Sequence, residues 1–310
     1  MNASDTSAHP APTFESVAEL EDILASERYV ADRGLATTVF LALKLGKPLL
    51  LEGEAGVGKT EIAKVLSTAL NTPLIRLQCY EGLDASSAIY EWDYPRQMLF
   101  LRSLEATTEV TTETIRRDLF SDDFLLKRPL LQAIDAAHDR SPVLLIDEVD
   151  RADQELEAFL LELLSDFQVT VPELGTIRAQ HKPIVILTSN RTREIHDALK
   201  RRCLYYWVDF PTYEKELRIL SAKVPEVPGD LAQQICGFTQ GLREVDLFKS
   251  PGMAETIDWA QALMALGTHE LTDEVVEQTL GVILKYQEDV DRISGEVSRQ
   301  LVSRATHAAG

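Results

Sequence analysis

Positive charge is scarce in this chain: 31 Lys and Arg stand against 50 Asp and Glu, a formal net charge of −19 over 310 residues. A nucleic-acid footprint needs a basic patch or stripe, so the balance argues against nucleic acid as the partner. Cysteine is sparse too. Cys79, Cys203 and Cys236 lie far apart with no C-x-x-C pair. That spacing points to neither zinc nor a disulfide framework, and the expectation is buried thiols in a reducing, cytoplasmic compartment. No apolar run approaches the ~20 residues of a membrane span. The first dozen residues, MNASDTSAHPAP, have neither the basic n-region nor the apolar h-region of a secretory signal, and residues 1–13 read as a disordered tail. The six histidines are scattered, with no two at a helical metal-ligand spacing, so none is read as a ligand.

What is present is the composition of a globular protein, 45% hydrophobic and 26% charged, long enough to bury a full core and to divide in two. FESVAELEDILASERYV and LATTVFLALKLG carry helical apolar spacing, closed by Gly46 and Pro48. Five runs then read as strands: Leu49–Glu52, Pro73–Cys79, PVLLIDEVD, Pro183–Asn190 and Leu204–Pro211. After the aromatic segment YEGLDASSAIYEWDYPRQMLFLR, the stretch to about Asp139 reads as charged and helical, and QVTVPELGTIRAQ as a hairpin around Pro172–Gly175. Strands interleaved with helices predict an α/β fold with a five-stranded parallel, doubly wound sheet. From about Thr212 the pattern turns wholly helical, which sets expected domains of 14–211 and 212–310.

The stretch LLLEGEAGVGKTEIAK raises the first chemical question. Gly53-x-x-x-x-Gly58-Lys59-Thr60 is the P-loop spacing. Its glycines permit positive φ, so the backbone N–H groups of Gly53, Glu54, Ala55, Gly56, Val57 and Gly58 can converge on phosphate oxygens. A helix opening near Lys59 adds its positive end. Lys59 supplies a point charge, and the Thr60 hydroxyl is placed to ligate Mg²⁺. Some 90 residues on, VLLIDE ends an apolar strand in Asp147, suited to the Mg²⁺ shell, and Glu148, suited to polarising an attacking water. ILTSN ends another strand in Asn190, a neutral amide that can orient a water without competing for the metal. ALKRRC sets Arg201 and Arg202 before the last strand, either as a solvated basic turn or as an arginine finger serving a neighbouring subunit.

The ordered set GEAGVGKT, VLLIDE, TSN and ALKRRC, with a helical domain behind it, resembles an AAA+ ATPase. EWDYPRQMLFLR and KSPGMAETIDWAQAL are most similar to a subgroup of its MoxR branch associated with carbon monoxide dehydrogenase maturation. The resemblance implies a P-loop core with a C-terminal helical lid, using ATP and Mg²⁺. It also implies a homo-oligomeric, usually hexameric, ring of chaperone type. The partners it implies are a von Willebrand factor A-domain protein and a client metalloenzyme. By position, Lys59 and Thr60 bind phosphate and Mg²⁺, Asp147 and Glu148 form the Walker B pair, Asn190 is sensor 1, and Arg202, with Arg201 as rival, is the finger. Relatives often place a sensor 2 arginine after the Ser-Pro of the lid. Here Gly252 follows Ser250-Pro251, so either Lys249 substitutes or the contact is missing. Tyr90, Trp92 and Tyr94 are read either as grips for a client polypeptide or as packing beneath a helical insertion. The competing readings are a DNA-directed AAA+ motor, such as a clamp loader or helicase, and the ATPase subunit of a metal chelatase.

Overall fold

Proline introduces four of the strands. Pro48, Pro73, Pro142 and Pro183 each stand one residue before a strand, a position where a missing N–H costs no ladder bond. The carbonyls of three of them still accept: Leu204 N–H donates to Pro48, Val143 to Pro73 and Ile184 to Pro142. The computed structural model describes residues 14–104, 111–135, 138–172 and 174–308. Its strands are β1 (Leu49–Gly53), β2 (Leu74–Gln78), β3 (Tyr90–Trp92), β4 (Leu125–Lys127), β5 (Val143–Asp147), β6 (Gln168–Val171), β7 (Gly175–Arg178), β8 (Ile184–Ser189) and β9 (Leu204–Val208).

The five expected strands form one sheet in the order β2-β5-β8-β1-β9. The β2–β5, β5–β8 and β8–β1 pairs are parallel. β5 and β1 are buried at every residue, which is why they read as continuous apolar runs rather than alternating ones. β2 alternates instead, with Ile75 and Leu77 buried and Arg76 exposed between them. The expected hairpin is β6–β7, closed by Leu174 N–H to Val171 C=O at 3.0 Å; Glu173 of that turn lies outside the described residues.

The helical reading of the stretch after the aromatic segment, up to about Asp139, is corrected at β4, which interrupts it. β3 pairs antiparallel with β4, and between and after them lie helices Tyr94–Leu104, Thr112–Leu119 and Pro129–Ala133. Three-residue strands are too short to show a period, so only the pairing reveals them. Residues 105–110 lie outside the described residues. The helix after the P-loop begins at Glu61 rather than Lys59, and β9 stops at Val208, short of Pro211.

The chain divides into two compact units. One holds Gly34–Glu52 and Leu66–Tyr206, with a core centred on β5, β8 and the helix Gln154–Asp166. The other holds Ala18–Arg33, Gly53–Val65 and Trp207–Gly310. In that second unit Trp259 and Phe238 pack 5.1 Å apart at its centre, and Trp259 Nε1–H finds Thr279 Oγ1 at 2.9 Å. Its fully buried Glu216 carboxylate takes both guanidinium arms of Arg243 at 2.8 Å and the hydroxyl of Thr256 at 2.9 Å. A buried charge is tolerable only when its lone pairs are satisfied in this way.

Candidate active site

The carboxyl ends of adjacent strands bring polar groups together in the first unit. Register sets Gln78 of β2 beside Asp147 of β5, and Glu52 of β1 beside Ser189 of β8. Asp147 is buried, and both its oxygens are engaged. Thr188 Oγ1–H donates to Oδ1 at 2.5 Å, and Arg76 Nη2–H donates to Oδ2 at 2.5 Å. The same Thr188 hydroxyl accepts the backbone N–H of Glu148 at 2.9 Å. One threonine therefore fixes the direction of both acids.

Glu148 has left-handed backbone angles, φ 55 and ψ 50, which turn the chain sharply as β5 ends. Its Oε1 lies 3.5 Å from Asn190 Nδ2, at the long limit of a hydrogen bond, and its Oε2 lies 3.2 Å from Arg151 Nε. Glu148 and Asn190 are thus together, each one residue past the end of the neighbouring strands β5 and β8. Asp150 accepts both the N–H and the hydroxyl of Thr192, which ties the loop after Asn190 to the turn after Glu148. Glu157, buried on the following helix, accepts from Arg193 and from the backbone N–H of His196, and His196 in turn caps the short helix Asp197–Lys200. Arg201 and Arg202 follow that helix. Both are exposed, and neither guanidinium has a hydrogen-bond or ion-pair partner among the described residues.

The glycine-rich loop belongs to the second unit. Gly56 and Gly58 have φ +78 and +94, the left-handed region expected of a backbone nest. A β-carbon on Gly53 would meet the Val208 carbonyl at 2.2 Å, whereas Gly58 has nothing within 4 Å of that position. The first glycine is required by packing, and the last opens onto free space. Lys59 is buried, and its ammonium donates to the carbonyls of Gly53 at 2.7 Å and Glu54 at 2.6 Å, so the loop's own backbone replaces the water its charge has lost.

The helical region packs against this loop at Gly252, the residue after Ser250-Pro251. A β-carbon on Gly252 would lie 2.7 Å from the Ala55 carbonyl oxygen and 2.9 Å from Gly56 backbone atoms. Ala254 N–H donates to the Gly56 carbonyl at 3.1 Å, and Glu255 caps Gly252 N–H at 3.0 Å. Gly252 is thus a backbone-on-backbone contact with the glycine-rich loop. Arg243 holds the turn by donating Nε–H to the Pro251 carbonyl at 2.8 Å. Lys249 donates its backbone N–H to Asp289 at 3.1 Å.

The aromatic trio separates. Trp92 is buried against Phe120, with ring centroids 5.2 Å apart, and Tyr90 packs against the same core. Tyr94 is exposed. Cys79 and Cys236 are buried and Cys203 half-buried, all three as free thiols.

Sequence reasoning missed Arg76, Thr188, Arg151 and the contact of Gly252 and Ala254 with Gly56. The lone charge in PLIRLQC was the available signal for Arg76, because it shares a strand face with Gln78. Thr188 sits inside an apolar run where it reads as an ordinary strand residue.

A family model, the AAA domain of the dynein-related subfamily, matches residues 48–203, just over half of the chain. An uncharacterized protein of Staphylococcus haemolyticus is 25% identical over 268 residues, covering 84% of this chain and 90% of its own. Another, of Staphylococcus epidermidis, is 27% identical over 207 residues, 64% of this chain and 70% of its own. Among solved structures, a RuvB mutant of Thermotoga maritima is 16% identical with a TM-score of 0.48, over 89% of this chain and 73% of that one. The structure described as the Thermotoga maritima RuvB Holliday junction branch migration motor is 17% identical with a TM-score of 0.43, over 87% and 72%. With the family match spanning the strands β1 to β8 and the acids they carry, the chain belongs to the AAA domain family, in its dynein-related subfamily, and is an AAA+ ATPase.

Proposed function

We propose that this chain is a Mg²⁺-ATP hydrolase of the MoxR type that remodels or matures a client protein from within a homo-oligomeric ring. The observation that carries the hydrolase reading is the Thr188 clamp, which orients Asp147 and Glu148 from one hydroxyl and leaves Glu148 beside the Asn190 amide.

The residues fit the metal and nucleotide that the family implies. Asp147 and Thr60 offer hard oxygen donors, and Mg²⁺ takes one or two protein ligands with substrate phosphates rather than a protein cage. Among the described residues no group of three or more His, Cys, Asp or Glu could hold a metal alone. The N–H groups of Gly53 to Gly58 would hold phosphate oxygens, with Lys59 adding its ammonium. When bound, the cation neutralises charge on the phosphate oxygens and holds them in place.

The remaining chemistry belongs to side chains. Glu148 accepts a proton from water at a carboxylate oxygen, and Asn190 orients that water by its amide. Arg202, or Arg201, faces the nucleotide of a neighbour, where a planar guanidinium pairs bidentately with phosphate oxygens. The motifs EWDYPRQMLFLR and KSPGMAETIDWAQAL support a client of the molybdenum-containing carbon monoxide dehydrogenase kind and a von Willebrand factor A-domain partner.

Glu148→Gln tests the hydrolase reading. The amide keeps the shape but not the basicity, so ATP should still bind while turnover falls by at least ~10²-fold. Near-normal turnover in that variant would remove Glu148 from the role.

A further inference from the structure

Asp147 is held by a cation of the protein's own. Its carboxylate is 5% exposed, and a buried carboxylate with no counter-charge is strongly disfavoured. Arg76 supplies that charge from the neighbouring strand, where the register places it two residues before the partner of Asp147. The guanidinium is 50% exposed, so it approaches Oδ2 from the solvent side while Thr188 holds Oδ1 from inside the fold. The two contacts differ in kind. Thr188 is buried and fixed between strands, whereas Arg76 can swing into water without opening the core. A second acceptor already waits for it, since Arg76 Nη2 also donates to Gln78 Oε1 at 2.5 Å.

We propose that Arg76 is a displaceable counter-ion of Asp147 that sets the Mg²⁺ requirement for nucleotide binding. The inference rests on the Mg²⁺-ATPase reading above. Oδ2 can face Arg76 or an incoming cation, but not both at full strength. Arg76 holds Oδ2 from the solvent side and so fixes the direction of the Asp147 carboxylate. For Asp147 to serve a metal, the guanidinium must give up Oδ2 and remain on Gln78 alone. Arg76 therefore acts through Asp147 as a positioning residue and competes with the metal that Asp147 serves.

The test is a binding titration on the full chain, without turnover. A fluorescent ADP analogue is held at fixed concentration and Mg²⁺ is varied, with EDTA as the baseline. Arg76→Met keeps the aliphatic bulk on β2 and removes the competitor, so the Mg²⁺ midpoint should fall. A half-exposed ion pair is worth up to ~1 kcal/mol, which corresponds to a fall of roughly two- to fivefold. Affinity in EDTA should not change, because a purely competitive cation acts only on the metal term. Gln78→Leu removes the alternative acceptor and should move the midpoint upward.

If the methionine form does not fold, Arg76→Lys should lower the midpoint less but in the same direction. A midpoint that stays or rises in whichever Arg76 variant folds would overturn the proposal while leaving the ATPase reading intact. The absence of any Mg²⁺ effect in the unsubstituted chain would overturn both.

Discussion

Glu148 adopts a left-handed backbone that costs a residue with a β-carbon roughly 1–2 kcal/mol, and its neighbours carry the compensation. Its N–H is bound to Thr188, its carboxylate faces Asn190 and Arg151, and Asp150 two residues on anchors Thr192. The concentration of acids has a side effect on the adjoining strand. Cys79, whose N–H donates to the Asp147 carbonyl at 2.9 Å, has its thiol pushed up to about 12 by burial first and by Asp147, Asp150 and Glu148 after it. Burial alone pushes Cys203 up to about 12, and burial likewise raises Cys236. Reactivity follows the thiolate fraction, so at pH 8 the folded chain should be alkylated on the order of 10³-fold more slowly than a free thiol. Raising the pH to 9 should increase that rate about tenfold without saturating it, because each thiol is still far below its midpoint. Iodoacetamide labelling followed by mass spectrometry checks both statements. Fast modification of Cys79 in the native chain would show that the strand end is open to solvent.

Elements built on long apolar runs were legible, and those built on pairing or close approach were not. β1 and β5 are buried at every residue and β8 at every residue after Ile184, so their sequences read as apolar runs up to the polar groups near their ends. β3 and β4 each have three residues and exist through their ladder, which no local pattern encodes. The acids and the amide of the candidate site were read from where strands end, whereas the partners that orient them required register. Thr188 is opposite Asp147 only because β5 and β8 pair as they do.

Gly252 is a further case at this scale. Its sequence showed a missing arginine, and the structure shows backbone contact with the loop at Ala55 and Gly56. A branched side chain there would press on backbone atoms that cannot rotate away. Gly252→Val should destabilise the protein by roughly 1–3 kcal/mol and weaken nucleotide binding through the displaced loop. Gly281→Ala is the control. It lies inside the helix Asp273–Ile283 with nothing within 4 Å of its missing β-carbon, and should stabilise by up to ~1 kcal/mol. Thermal unfolding with and without nucleotide separates the two effects. A Gly252→Val form that bound nucleotide normally would make the loop contact incidental.

At the scale of the whole molecule, the finger reading is a statement about assembly. Arg201 and Arg202 are exposed and without partners among the described residues, on a turn braced by Glu157, Arg193 and His196. A braced turn that presents unpaired guanidinium groups is suited to a carboxylate or phosphate on another molecule, because the ordering cost is already met. If that phosphate belongs to a neighbour's nucleotide, turnover depends on subunit contact. Specific activity should then rise with protein concentration until rings are full. Arg202→Ala should retain near-normal ATP affinity and lose most turnover. Fingers contribute on the order of 10³–10⁵ in the best-studied GTPases, and the loss here is smaller where Arg201 compensates. Arg201→Ala alone should be milder. The decisive experiment mixes two inactive forms. Lys59→Ala subunits keep an intact finger, and Arg202→Ala subunits keep an intact phosphate loop, so some interfaces of a mixed ring join the two intact halves. Activity should reappear on mixing, measured as phosphate release from rings shown to contain both forms. Mixed rings that stay inactive would place Arg202 in its own subunit's chemistry, or in none.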